Sequence, residues 1–167
     1  MPVPEGFHIR PYQASDLLRL QEITTQTFSE VSIDNNMERK FGRFGYGDWR
    51  TRKAASIAVD CNMQPDGVFV MVEGEAKAVG YITTRLNTSS GIGWIPNLAI
   101  DPAYQSRGLG RALLEHALVF FRDQGMQVAN IETLEQNPIG KNLYPSLGFE
   151  EVAHQIHYAM RLKPKED

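Results

Sequence analysis

The chain has 167 residues, of which 42% are hydrophobic and 22% charged, and a formal net charge of −3. That length fits one domain with room for a core, and the composition is globular rather than disordered or fibrous. The acidic balance argues against a nucleic-acid binder, which would show a basic excess, and gives no sign of an anionic membrane as partner.

The opening MPVPEGFHIR has neither a basic start nor an apolar run, so no secretory signal is expected. Residues 7–12 alternate apolar and polar and predict a first strand. Ser15 offers a helix cap before Leu17, Leu18, Ile23 and Phe28, at roughly helical spacing. Residues 39–48 (RKFGRFGYGD) mix glycines, aromatics and arginines and read as a loop or a broken helix. A helix over 48–63 follows, capped by Asp48. It carries the single cysteine, Cys61, which cannot form an internal disulfide and suits a reducing compartment. Near a helix end, Cys61 reads as an inert core residue.

Pro65-Asp66-Gly67 signals a turn. Residues 68–72 read as a buried strand, paired as a hairpin with residues 78–86 through Glu73-Gly74-Glu75. Residues 94–100 form another strand, interrupted by Pro96. Residues 108–124 give the clearest helix, with Leu109, Leu113, Ala117 and Phe120 or Phe121 on one face and Gly125 as its C-cap. A strand at 128–134, a short helix opened by Asn137-Pro138, and a long final strand at 149–162 complete the chain. The order predicts an α/β (α+β) fold, one domain over 1–167, with helices on both faces of the sheet. No stretch approaches the ~20 apolar residues that span a bilayer. No His/Cys cluster has metal-ligand spacing, so no metal is expected, and a cytoplasmic location follows from the whole.

The chemistry concentrates between residues 98 and 111. A strand ends at Ile100, a Pro-containing turn follows, and Gln105-Ser106-Arg107-Gly108-Leu109-Gly110-Arg111 opens the strongest helix. Helix N-termini carry unpaired N–H groups and partial positive charge. Glycines there let the backbone approach an anion, so the arrangement suits a pyrophosphate. The dinucleotide pattern GxGxxG fails, because Leu113 takes the third glycine's place, and no Gly-Lys-Ser/Thr follows.

The segment LAIDPAYQSRGLGRALLEHAL resembles the central motif of the GNAT family of N-acetyltransferases, matching at Gln105, Gly108 and Gly110. The segment IETLEQNPIGKNLYPSLGFEEV is similar to the family's later motif, at Asn137, Leu143, Tyr144, Gly148 and Phe149. The resemblance implies a mixed, mostly antiparallel sheet, acetyl-CoA as cofactor and a primary amine, on a small molecule or a peptide, as acceptor. It places the cofactor arm along Leu98, Ala99 and Ile100, with the Leu98 N–H facing the thioester oxygen. It puts the pyrophosphate on Gln105, Ser106, Arg107, Gly108, Leu109, Gly110 and Arg111, and Asn137 on the pantetheine arm. Tyr144 becomes the general acid for the departing thiolate.

Glu132 is a candidate base, directly or through water, and equally a solvent-facing strand residue. Asn97 stands where some relatives carry a carboxylate, and an amide cannot act as base. Gly140-Lys141-Asn142 and Pro145 depart from the family pattern around Tyr144. His154 and His157 fall on the final strand. An aromatic, cationic acceptor pocket from Phe41, Phe44, Tyr46 and Trp49 with Arg39, Arg43, Arg50 and Arg52 is a further expectation, set against plain aromatic packing with solvated arginines. A non-catalytic acyl-CoA-binding or regulatory module on the same fold is the alternative function, and a homodimer through the edge of the last strand is expected from the family.

Overall fold

The run Val68, Phe69, Val70, Met71, Val72 is apolar at every position, and all five residues are buried, because helices cover both faces of the strand they form. The computed structural model describes residues 3–163. Five strands make one sheet: β1 (Phe7–Pro11), β2 (Val68–Glu73), β3 (Lys77–Asn87), β4 (Ile92–Ile100) and β5 (Val128–Ile131), hydrogen-bonded in that order. The first four are antiparallel, and β5 joins β4 in parallel. A parallel neighbour needs a crossover, which α4 (Leu109–Asp123) supplies. Between β1 and β2 come α1 (Leu17–Thr27), α2 (Ile33–Phe41) and α3 (Trp49–Met63), and α5 (Pro138–Leu143) follows β5.

The sheet divides the core in two. On one face α4 sets Leu109, Leu113, Ala117 and Phe121 against Phe69, Met71, Ile82 and Ile95. On the other, Leu20 and Ile23 of α1 and Ile57 and Cys61 of α3 meet Val68, Val70, Tyr81 and Ala99. Helix α4 lies close to the sheet at Gly93, where a Cβ would stand 2.5 Å from the Phe121 ring.

Local chemistry explains most boundaries. Asp48 accepts from the Thr51 N–H at 3.1 Å and starts α3, as expected. Ser15 does not cap α1. A 3-10 turn over Ala14–Asp16 precedes that helix, and the Asp16 carboxylate takes the Gln13 N–H at 2.8 Å and pairs with Arg10. Leu18, expected on the apolar face, is 75% exposed, and Leu20 and Thr24 face the core instead. Helix α2 was not anticipated; Ser32 caps it through the Asn35 N–H at 3.4 Å. Strand β5 is shorter than the expected 128–134.

The expected final strand at 149–162 is absent. Residues 149–163 form neither helix nor strand, and Val152, Ile156, Tyr158, Met160 and Leu162 are all exposed. Their period-two alternation is a strand pattern, but a strand exists only through a partner's ladder, and none pairs here among the described residues. The edge on which a dimer contact was expected is therefore not formed. Two hydrogen bonds join this segment to the body among the described residues: the Phe149 N–H donates to the Tyr144 carbonyl at 3.2 Å, and the Arg161 guanidinium to the Arg43 carbonyl at 3.2 Å.

The two-core arrangement sets a stability contrast. Leu113 is fully buried, and Leu113→Ala should cost about 2–5 kcal/mol. Leu18→Ala, at a residue 75% exposed, should change stability by no more than about 0.5 kcal/mol. Urea denaturation of both variants checks the pair.

Candidate active site

Strands β4 and β5 pair only from Ile92↔Val128 to Ile95↔Ile131. Pro96 comes next and brings no N–H to a ladder. The β3–β4 register also shifts here, between Thr83↔Asn97 and Arg85↔Trp94, so β4 carries a bulge at the same point. Beyond it, the Asn97 N–H turns toward β3, donating to Thr83 Oγ1 at 3.1 Å, and the Asp101 N–H donates to the Val79 carbonyl at 2.8 Å. Strand alternation then turns the N–H groups of Leu98 and Ile100 the other way, into the space β5 has left.

Helix α4 opens onto this gap. Gly108 is its N-cap at φ 80°, a left-handed conformation that favours glycine, and Ser106 is also left-handed at φ 62°. A Cβ on Gly108 would meet nothing within 4 Å, so the space in front of the helix is open. Leu109 is buried and anchors the first turn, while Gln105, Ser106, Arg107, Gly110 and Arg111 keep some exposure. The Gln105 side chain donates to the Ile100 carbonyl at 3.1 Å, tying the loop to β4. The guanidinium of Arg107 lies 5.0 Å from the Tyr104 ring centroid, and that of Arg111 donates to Ser146 Oγ at 2.6 Å.

Helix α5 and the turn after it close the same region. A Cβ on Gly110 would stand 3.7 Å from Leu143 and 3.8 Å from Ile100, so the α4 entry lies against both α5 and the end of β4. Helix α5 ends at Leu143 and Pro145 starts a 3-10 turn, so α5 is short. Tyr144 sits between them, its ring edge-on to Phe149 at 6.1 Å. Burial pushes its phenol up to about 12, which keeps it protonated through the neutral range. Asn137 caps α5: its Oδ1 accepts from Ile139 and Gly140, and its Nδ2 donates to Thr133. One amide hydrogen remains for another partner.

Residues 20–149 match the family model described as Acetyltransferase (GNAT) family. This chain belongs to the GNAT acetyltransferase family. Among curated relatives, a mycothiol acetyltransferase of Segniliparus rotundus is 26% identical over 93% of this chain and 56% of its own length. The ribosomal protein bS18 alanine N-acetyltransferase of Escherichia coli is 39% identical over 42% of this chain and 48% of its own. The chain thus spans about half the length of the curated relatives it matches. The fold agrees with the crystal structure of the Escherichia coli ribosomal-protein-S18-alanine N-acetyltransferase, at TM-score 0.65 and 23% identity, over 88% of this chain and 79% of that one. A GNAT acetyltransferase from Brucella melitensis, solved with acetyl-CoA, superposes at TM-score 0.60 and 18% identity over 87% and 83% of the two chains.

The other expected groups lie on separate parts of the chain. Glu132 lies just beyond β5, exposed, on a groove of about 650 Å³ with Arg85, Trp94 and Pro96. The arginines of the 39–52 segment do not form a cationic pocket. Arg39 pairs with Glu30, Arg50 with Asp48, and Arg52 with Glu38 and Asp34. Trp49 is buried and Tyr46 is 98% exposed. His154 pairs with Glu151 on the exposed C-terminal segment, away from any strand. Among the described residues no cluster of His, Cys, Asp and Glu could hold a metal, and no helix is long and apolar enough to cross a membrane.

The structure instead gathers a set that sequence reading missed. Lys53 of α3 donates to Asn97 Oδ1 at 2.8 Å, and Asn97 Nδ2 donates to Asp60 Oδ2 at 2.6 Å. Arg85 pairs with the other Asp60 oxygen. Nothing local marks Lys53, because its partner lies 44 residues away.

Cys61 behaves as expected of a core thiol. It is 2% exposed, and burial pushes its pKa up to about 11. Because the thiolate is the reactive form, a disulfide reagent at pH 8 should label the folded protein at least ~100-fold more slowly than the urea-unfolded chain. Equal rates would contradict the buried placement.

Proposed function

We propose that the chain moves an acetyl group from acetyl-CoA to a primary amine, on a small molecule or a peptide, by direct attack. One observation carries this reading: β4 parts from β5 after Ile95 where α4 opens on Gly108. The N–H groups of Leu98 and Ile100 and the free N–H groups of the α4 start therefore face one opening. The donor set fits an extended amide-bearing arm ending in a pyrophosphate: strand-edge groups for the arm, and a helix N-terminus with Arg107 and Arg111 for the phosphates. The printed names of the relatives refer to mycothiol and to an alanine of a ribosomal protein, which supports either size of acceptor.

Bound acetyl-CoA would supply an activated thioester. The chain's residues would then take three roles. The Leu98 N–H stabilises negative charge developing on the acyl oxygen. Tyr144, its phenol held neutral by burial and its hydroxyl hydrogen-bonded to none of the described residues, gives its proton to the leaving sulfur. Glu132, exposed at the end of β5, takes the amine's proton through water. Asn137 keeps α5 in place through its cap and offers its remaining N–H to the arm.

Calorimetry with acetyl-CoA on wild type and on Gly108→Glu tests the cofactor site. Binding should be lost in the variant, since a carboxylate would stand where phosphate is held. Because left-handed backbone costs a non-glycine residue ~1–2 kcal/mol, circular dichroism must first show the variant folded. Tyr144→Phe should bind acetyl-CoA as wild type does and lose about 10²-fold or more in kcat. Tight binding with no thioester cleavage for any amine would favour the non-catalytic acyl-CoA-binding module, and no binding by wild type would refute both.

A further inference from the structure

Lys53 is unusual among the cations of this chain. It projects from α3 into the junction of α1, α2 and the β4 bulge, with its ammonium 4.5 Å from the Phe28 ring centroid. Its one hydrogen bond goes to the neutral Asn97 amide, and among the described residues no carboxylate lies within ion-pair distance. An ammonium has three donors, so two remain unused. By contrast, Arg39, Arg50 and Arg52 nearby are each matched by a carboxylate of the chain.

The position matters as much as the vacancy. Asn97 immediately precedes Leu98, whose N–H faces the β4–β5 gap. Lys53 therefore stands one residue from the expected acyl oxygen, on the face of the sheet covered by α1 and α3 rather than by α4. Removing an ammonium from water without a counter-ion is costly, and an arriving anion offsets that cost. The surrounding charges leave room for one. Asp34 of α2 and Asp60 of α3 act on Lys53 from a distance and raise its affinity for a proton, while burial lowers it more. Asp60 is itself held by Arg85 of β3 and by Asn97, and Asp34 faces Arg52 at 3.6 Å.

We propose that the Lys53 ammonium, seated over Phe28 and on the Asn97 amide, binds the carboxylate of an acceptor whose amine lies a short carbon chain away, as in a free amino acid. The inference rests on the acetyl-transfer reading and narrows its acceptor. Lys53 would be a binding residue: it fixes the acceptor so that its amine points at the acyl carbon above Leu98. It also disfavours purely cationic amines, which it repels.

The test compares acetyl transfer to a panel of L-amino acids and to their carboxamides, on wild type, Lys53→Met and Lys53→Arg. Wild type should prefer the acid over the amide at least tenfold in kcat/KM. In Lys53→Met that preference should fall toward unity through the acceptor KM, with acetyl-CoA affinity changed far less than the preference, and Lys53→Arg should recover part of it. Should Lys53→Met fail to fold, the acid-to-amide ratio of wild type still decides. Equal use of amides, a preference that survives Lys53→Met, or turnover confined to amines without a carboxylate would overturn the proposal while leaving the acetyl-transfer reading intact. Failure of wild type to bind acetyl-CoA would overturn both.

Discussion

Strands β4 and β5 pair over four residues and then separate, and the candidate site depends on where they do so. If pairing continued past Ile95, the backbone groups of Leu98 and Ile100 would be spent on a ladder. Two features stop it. Pro96 has no N–H to offer, and the bulge around it turns the chain so that Asn97 rather than Leu98 faces β3. The cost is a stretch of strand edge without a partner. It is met in part by Gln105, whose side chain returns to the Ile100 carbonyl.

A polar chain running from buried Asn97 and Asp60 out to exposed Arg85 holds the bulge from the other face. Lys53, Asn97, Asp60 and Arg85 are linked donor to acceptor, and Thr83 Oγ1 accepts the Asn97 N–H. Such a network is costly when half satisfied and specifying when complete. Here it fixes one rotamer of Asn97, and with it the direction of the backbone that follows. The same network leaves Lys53 with donors to spare. Shape and recognition thus meet in one residue, α3 contributing the cation and β4 the amide that holds it.

Local patterns made much of this visible beforehand. The α4 stripe of Leu109, Leu113 and Ala117 needs no tertiary knowledge to be read, nor does a glycine before a strong helix, so the glycine-opened helix entry was legible from residues 98–111. So was α5, from Asn137-Pro138. Three things were not. The exposed tail at 149–163 carries the alternation of a strand, but alternation says which face is apolar and nothing of whether a neighbour pairs. The arginines at 39–52 looked like a cationic surface, but the carboxylates that meet Arg39, Arg50 and Arg52, namely Glu30, Glu38, Asp34 and Asp48, sit on turns and helices whose packing decides the match. Lys53 is one more charge on a helix until the fold sets it against Asn97.

Amide hydrogen exchange, with and without acetyl-CoA, tests the central claim most directly, because the claim concerns backbone N–H groups. The account predicts slowed exchange at Leu98 and Ile100 and across residues 107–111, with little change in β1 and β2. Protection confined to other segments, or unchanged exchange at Leu98 and the α4 entry while acetyl-CoA is bound, would contradict it.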